Sequence, residues 1–161
     1  GFRDPAMVTL AAKTDAGLVV MHMLGEPKTM QDEPVYDDVV AEVRTYLGQQ
    51  AAMLEAEGVA ADRIAIDPGI GFGKTTGHNL ALLHHLPELA ALGYPVLVGA
   101  SRKRFIGELT GETQAERRVA GSVAVAVWAA LNGASVVRVH DVAETVQALR
   151  VIAAITEDSD D

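Results

Sequence analysis

The sequence predicts an α/β chain built on parallel strands. Three observations carry that prediction. The apolar runs at 18–22, 64–67, 96–98 and 136–140 are continuous rather than alternating, which marks parallel strands buried on both faces. Each run is followed by a stretch of helical spacing. The strand–helix unit repeats four times, from near Leu18, Ile64, Val96 and Val136. Two architectures fit: an open doubly wound sheet, or part of a (β/α)8 barrel. Both put ligands at the carboxyl ends of the strands, so the residues after each strand are the candidates for chemistry.

The elements follow in order. Asp4-Pro5 reads as a helix N-cap with proline at the first helical position, and that helix stops near Gly17. Leu18 to His22 is a short strand. Val35 to Glu57 has helical spacing and ends at Gly58. Ile64 to Asp67 is the next strand, and Leu80 to Leu92 a helix ending at Gly93. Val96 to Val98 is a strand, then Ala115 to Leu131 a helix ending at Asn132-Gly133. Val136 to His140 is the last strand, with a helix from Ala143 to Ile155. Trp128 sits in an Ala/Val-rich helix and reads as core. His84 and His85 are expected on different sides of their helix, a poor pair of metal ligands.

Composition narrows the function classes. The 161 residues are 49% hydrophobic, enough for one core. There is no cysteine, hence no disulfide framework or thiolate zinc site, and the expected setting is reducing and cytoplasmic. No apolar run approaches the ~20 residues of a membrane span, and no signal peptide is evident. A net charge of -9 argues against general nucleic-acid binding. Residues 157–161 are expected to be an acidic disordered tail on a domain of 1–156.

Against that acidity stands a cationic run, Ser101-Arg102-Lys103-Arg104, right after an apolar strand. Fixed cations at a strand end suit an anionic ligand. Asp67 closes another strand, where a carboxylate is costly to bury without partners. It is an N-cap, a salt-bridge partner of Lys74, or an acceptor for two adjacent ligand N–H groups; the last is preferred. Gly69, Gly71 and Gly73 permit close backbone approach. Gly73-Lys74-Thr75 imitates the end of a phosphate loop, but the glycine that motif needs five residues earlier is Pro68. For this turn, a flexible loop is as good a reading as any specific use. Arg138 and His140, two apart on one expected strand, share a side and form a cationic pocket with Lys103. His22, at a strand end beside Met21, draws less weight.

The strings MHMLGEP, DPGIGFGKT, GASRKRFIG and VRVHDV, in that order, resemble the second half of the dihydropteroate synthase family. The resemblance runs over the chain up to the acidic tail. It implies a (β/α)8 TIM barrel of folate biosynthesis. Such an enzyme condenses 6-hydroxymethyl-7,8-dihydropterin pyrophosphate with p-aminobenzoate and releases pyrophosphate, with Mg2+ as cofactor. It implies catalytic roles for Asp67 and Lys103, with Asp67 bonding the pterin N–H groups and Lys103 the pterin ring. Met21, Phe72 and Gly99 would shape the pocket, with Phe72 toward the aminobenzoate. Ser101 would help seat the p-aminobenzoate, and Arg138 and His140 would bind pyrophosphate.

An eight-unit barrel takes ~250 residues, and the four units here match the last four. The chain is therefore expected to be a half barrel with two open strand edges. The Mg2+ ligand that the resemblance implies, an asparagine of the first strand, would lie outside it. The isolated chain is expected to show little or no turnover. Its expected partners are the two substrates, and a second copy or an N-terminal half. Two other readings stand beside this one: a non-catalytic binding or assembly module, and a pterin-binding methyltransferase barrel, which has no pyrophosphate to expel.

Overall fold

The computed structural model describes residues 4–25 and 34–157. Part of the MHMLGEP string, Glu26-Pro27, lies outside the described residues, as does the acidic tail beyond Glu157. The helices are α1 Pro5–Lys13, α2 Val39–Ala56, α3 Thr76–His84, α4 Leu86–Ala90, α5 Arg104–Thr110, α6 Val119–Leu131 and α7 Val142–Thr156. The strands are β1 Leu18–Met21, β2 Ile64–Asp67, β3 Val96–Val98 and β4 Ala134–Val137. They form one parallel sheet in the order β1-β2-β3-β4. The strand order never reverses, as it must in a doubly wound sheet, so the four units progress as in a barrel.

Strand alternation sorts the side chains. Val20, Ile64, Ile66, Val96 and Val98 are buried and face the helices. There they join a stripe on α2, Val43, Leu47, Ala51 and Leu54, together with Leu82, Leu86 and Leu89 of α3 and α4. The other face differs from the expectation of burial on both sides. Val19 is 46% exposed and Val136 45% exposed. Met21 and Asp67, paired in the β1–β2 register, stand on this open face at its carboxyl end. A continuous apolar run predicts cover on both faces, but among the described elements none covers this second face.

Helix starts and breaks follow local chemistry. Asp38 caps α2, accepting from the Val40 and Ala41 N–H groups, while Glu42 reaches back to the Asp37 and Asp38 N–H groups. That double cap fixes the start at Val39 rather than near Val35. The helix expected over 80–92 starts earlier, at Thr76, where Thr75 and His78 form a capping box. It also breaks at His85, because Pro87 has no N–H to offer the Leu83 carbonyl. That carbonyl accepts instead from Trp128 Nε1, at 2.8 Å. Trp128 is thus a half-exposed tie between α3 and α6, not a core residue. The break also brings the His84 and His85 rings edge to face at 4.7 Å, and His85 pairs with Glu88. Their expected divergence on a continuous helix does not occur. Helix α5 was not expected; it buries Phe105 and Ile106 and ends at Gly111, which is left-handed. The helix expected from Ala115 begins with a 3-10 turn, and α6 proper starts at Val119.

Replacing Trp128 by Phe strands the Leu83 carbonyl and lowers stability by about 1 kcal/mol in urea unfolding. Adding Pro87→Ala returns an N–H to that carbonyl and recovers part of the loss. If the two effects simply add, the Trp128–Leu83 tie is not the cause.

Candidate functional site

The loops after the four strands meet at one end of the sheet. The loop after β2 holds the most, and its backbone is tied at nearly every step. Asp67 Oδ1 accepts from the Gly69 N–H at 2.7 Å, and the Phe72 N–H closes a turn onto the Gly69 carbonyl. Asn79, buried on α3, accepts from the Gly71 N–H at 2.7 Å. Tyr36 donates to the Gly73 carbonyl at 2.8 Å, and Lys103 Nζ donates to the Ile70 carbonyl. All three glycines have positive φ. A Cβ on Gly69 would lie 1.8 Å from the His22 carbonyl oxygen, and one on Gly73 2.6 Å from that of Leu24. The glycines are there for left-handed backbone, with Gly69 and Gly73 close to the β1 loop and Gly71 close to the Lys103 side chain, and the flexible-loop reading fails.

Lys74 is 2% exposed. Its ammonium lies 2.9 Å from His22 Nδ1 and donates to the Phe72 carbonyl at 3.1 Å. A protonated lysine here requires His22 to be neutral with its hydrogen on Nε2. The His22 ring packs edge-on against Tyr46 at 5.0 Å. Lys74 makes no ion pair with Asp67, but the two charges act on each other. Burial lowers the Lys74 pKa to about 7, and Asp67 opposes that. Burial likewise lowers Lys103 to about 8, against the pull of Asp67 and with the push of Arg138. Asp67 itself is raised by burial, with the Gly69 N–H, Lys103, Lys74 and Arg138 pulling it back. One carboxylate and two lysines thus share a partly desolvated corner, with exposed Arg138 acting on it from the edge.

The cationic run divides its labour. Lys103 turns to this corner, its ammonium 4.1 Å from the centre of the Phe72 ring. Arg104 pairs with Glu108 at 2.9 Å, and Arg102 with Asp141 at 2.5 Å. Arg138 and His140 lie beyond β4, which ends at Val137, so the strand-alternation argument for them does not hold. The Arg138 N–H adds one more rung to the Val98 carbonyl at 2.9 Å, and the His140 N–H turns to Ser101 Oγ at 3.2 Å. His140 Nδ1 is also 3.0 Å from that oxygen, so buried Ser101 holds His140. Gly99 faces the Arg138 Cβ: a side chain added there would sit 3.9 Å from it. A cavity of about 290 Å³ opens beside the corner, lined by Phe72, Lys74, Lys103 and Arg104 among others.

Asp67, Phe72, Lys103 and Arg138 therefore converge, with Met21 beside Asp67 in the sheet register. Sequence reasoning missed Asn79 and Tyr36, weighed Lys74 only as an ion-pair partner of Asp67 or a phosphate-loop lysine, and gave His22 little weight. Lys74 had a signal in its place straight after three alternating glycines. Asn79 and Tyr36 had none, since their loop partners lie 8 and 37 residues away. The Mg2+ implied by the resemblance finds no donor set here: among the described residues no three His, Asp or Glu side chains group to hold a metal. No helix among them is long and apolar enough to cross a membrane.

Gly69→Ala should destabilise the chain by more than about 2 kcal/mol, since it adds a backbone clash to left-handed strain. Gly58→Ala, at φ +93 with open space around it, meets the strain alone and should cost less. Equal losses would contradict the close-approach account. Lys74 also makes stability depend on pH. Its pKa is about 7 folded against 10.5 for the free side chain, so within that window the unfolded chain binds the extra proton and stability rises with pH. Thermal midpoints of the Lys74→Met variant should rise less over this window, keeping only what Lys103 and other groups contribute.

A sequence model described as "Pterin binding enzyme" matches residues 1–140. A dihydropteroate synthase of Neisseria meningitidis serogroup C is 54% identical over 148 residues, covering 91% of this chain and 52% of that protein. The crystal structure of dihydropteroate synthase from Stenotrophomonas maltophilia, with imidazole bound in its active site, superposes with a TM-score of 0.94 at 48% identity. It covers 97% of this chain and 59% of that one. The Xanthomonas albilineans enzyme in complex with 7,8-dihydropteroate gives 0.89 at 49%, covering 96% and 56%. The chain spans about half the length of the curated relatives it matches.

Proposed function

The chain belongs to the pterin binding enzyme family, and from that premise we propose that it carries the pterin and diphosphate end of a dihydropteroate synthase site. The observation that supports this most is the Asp67 corner. Asp67 spends one oxygen on the Gly69 N–H, and the other is offered to the adjacent N–H groups of an aminopyrimidinone ring. Lys103 lies over Phe72 and borders the ring pocket, which Met21 and Gly99 help shape. Arg138 and His140 take the diphosphate. The p-aminobenzoate enters the cavity between Phe72, Lys103 and Arg104, and Ser101 acts on the site by holding His140. The X. albilineans complex with 7,8-dihydropteroate supports this substrate class.

The chemistry follows from the charges. The C–O bond between the pterin methylene and the diphosphate breaks, and the leaving group takes the bonding pair. The aryl amine forms the C–N bond and gives up a proton. Arg138 and His140 stabilise the negative charge that grows on the diphosphate, while Asp67 holds the ring whose methylene becomes electron-poor. The four strand ends supply part of a barrel rim. In this reading residues 1–156 are the C-terminal half of a cytoplasmic barrel domain, binding ligand alone and turning over only with the remaining strands. Those strands, or a second copy, cover the open sheet face.

Calorimetry tests the proposal with two probes, a 2-amino-4-oxopteridine and inorganic pyrophosphate. Asp67→Asn should weaken the pteridine about tenfold to a hundredfold, the worth of a charge-assisted hydrogen bond, and spare pyrophosphate. Arg138→Ala should do the reverse. A chain that binds neither probe, or variants that affect both alike, would overturn the assignment.

A further inference from the structure

Arg102 and Asp141 each sit against their local preference. The Lys103 N–H closes a turn onto the Ala100 carbonyl at 3.3 Å, with Arg102 as its third residue at φ +60. That position asks for glycine or asparagine, and Arg102 is the one non-glycine residue with positive φ among the described residues. Asp141 occupies the N-cap of α7, where an aspartate ordinarily bonds the free N–H groups of its own helix. It makes no such bond. Its carboxylate turns instead to the Arg102 guanidinium, which meets both oxygens, Nη2 to Oδ1 at 2.5 Å and Nε to Oδ2 at 3.1 Å. A strained backbone and an unused cap persist only where the surroundings over-determine them, and such places cluster at functional sites.

The surroundings do over-determine this one. The Arg102 N–H donates to Ser122 Oγ at 2.8 Å, and its carbonyl accepts from Arg118 Nη1 at 3.0 Å. Ser101 on one side of Arg102 holds His140, and Lys103 on the other lies over Phe72. Asp141 directly follows His140. The pair therefore fastens the loop after β3 to the loop after β4 at the point where the anion-binding residues are presented.

We infer that Arg102 is a positioning residue, whose bidentate pair with Asp141 sets Arg138 and His140 in register with Lys103 for an anionic ligand. The inference rests on the diphosphate reading above. It has a consequence opposite to that of a direct role. Were Arg102 itself the anion ligand, Asp141 would be its competitor, and removing that carboxylate would tighten anion binding. As a latch, Asp141 is needed, and its removal weakens binding although the site becomes more positive.

The test measures inorganic pyrophosphate affinity by calorimetry on the full chain, with Asp141→Ala, Arg102→Gly and the double variant. Arg102→Gly keeps the positive φ without strain and removes the side chain with its guanidinium. Each single variant should weaken pyrophosphate about tenfold, the scale seen when a group orienting a ligand-binding residue is removed. The double variant should be no weaker than either single one. Amide exchange at His140 should quicken in all three. Tighter binding in Asp141→Ala, or additive losses with unchanged exchange, overturns the latch. Asp141→Asn should give a smaller loss of the same sign if Asp141→Ala fails to fold. If the unsubstituted chain does not bind pyrophosphate, the diphosphate reading falls. The exchange result alone then decides whether the pair orders His140: quickened exchange upholds the latch, and unchanged exchange overturns it.

Discussion

A carboxylate at the end of a parallel strand has to be held against its own desolvation, and the arrangement around Asp67 follows from that requirement. The residue is 8% exposed. Burying an unpartnered carboxylate costs several times what one hydrogen bond returns, ~1.5–3 kcal/mol for a bond to a charged group. Asp67 has one short bond from the Gly69 N–H and the field of Lys103, Lys74 and Arg138. That bond needs the chain to turn back at once, which needs Gly69 left-handed against the His22 carbonyl. Gly71 and Gly73 continue the same path between Lys103 and the β1 loop. The cations carry the burden from the other side. Lys74 and Lys103 are both lowered by burial and both drawn back by Asp67. None of the three charges is comfortable alone, and together they make a corner ready for a polar, partly anionic ligand.

The same logic explains the spread of supporting contacts over loops distant in sequence. His22 meets Lys74, Tyr36 meets Gly73, and Asn79 meets Gly71. Each satisfies a polar atom of the loop after β2. Arg102 is bound to Asp141, and Arg104 pairs with Glu108 at the rim of the cavity. This resolves the oddity of a cationic run in an acidic chain: Lys103 and Arg104 border the cavity, and Arg102 is held by Asp141.

The sequence already carried the four strand–helix units, their parallel sense and the residues at their carboxyl ends. It did so because burial and turn chemistry are local: apolar runs, caps and glycines declare themselves within a few residues. The half barrel came from four ordered strings that resemble one family, and the uninterrupted strand order and the superpositions agree with it. The misreadings share a cause. The break at Pro87 is forgiven by Trp128, 45 residues away in the indole's bond to Leu83. The end of β4 at Val137 is set by pairing with the short β3. The exposure of Val19 and Val136 shows that no described helix packs on that face of the sheet. In each case a distant partner decides, and local pattern cannot name it.

The central claim is that Asp67 is a carboxylate kept costly by burial and ready to accept a ligand's N–H groups. Carbon-13 NMR titration of its side-chain carboxyl, with and without a saturating 2-amino-4-oxopteridine, tests it most directly. The account predicts a midpoint above the ordinary 3.8 in the free chain, falling on ligand addition because hydrogen bonds to the ionised form favour it. A midpoint at or below 3.8 that the pteridine leaves unmoved would contradict it.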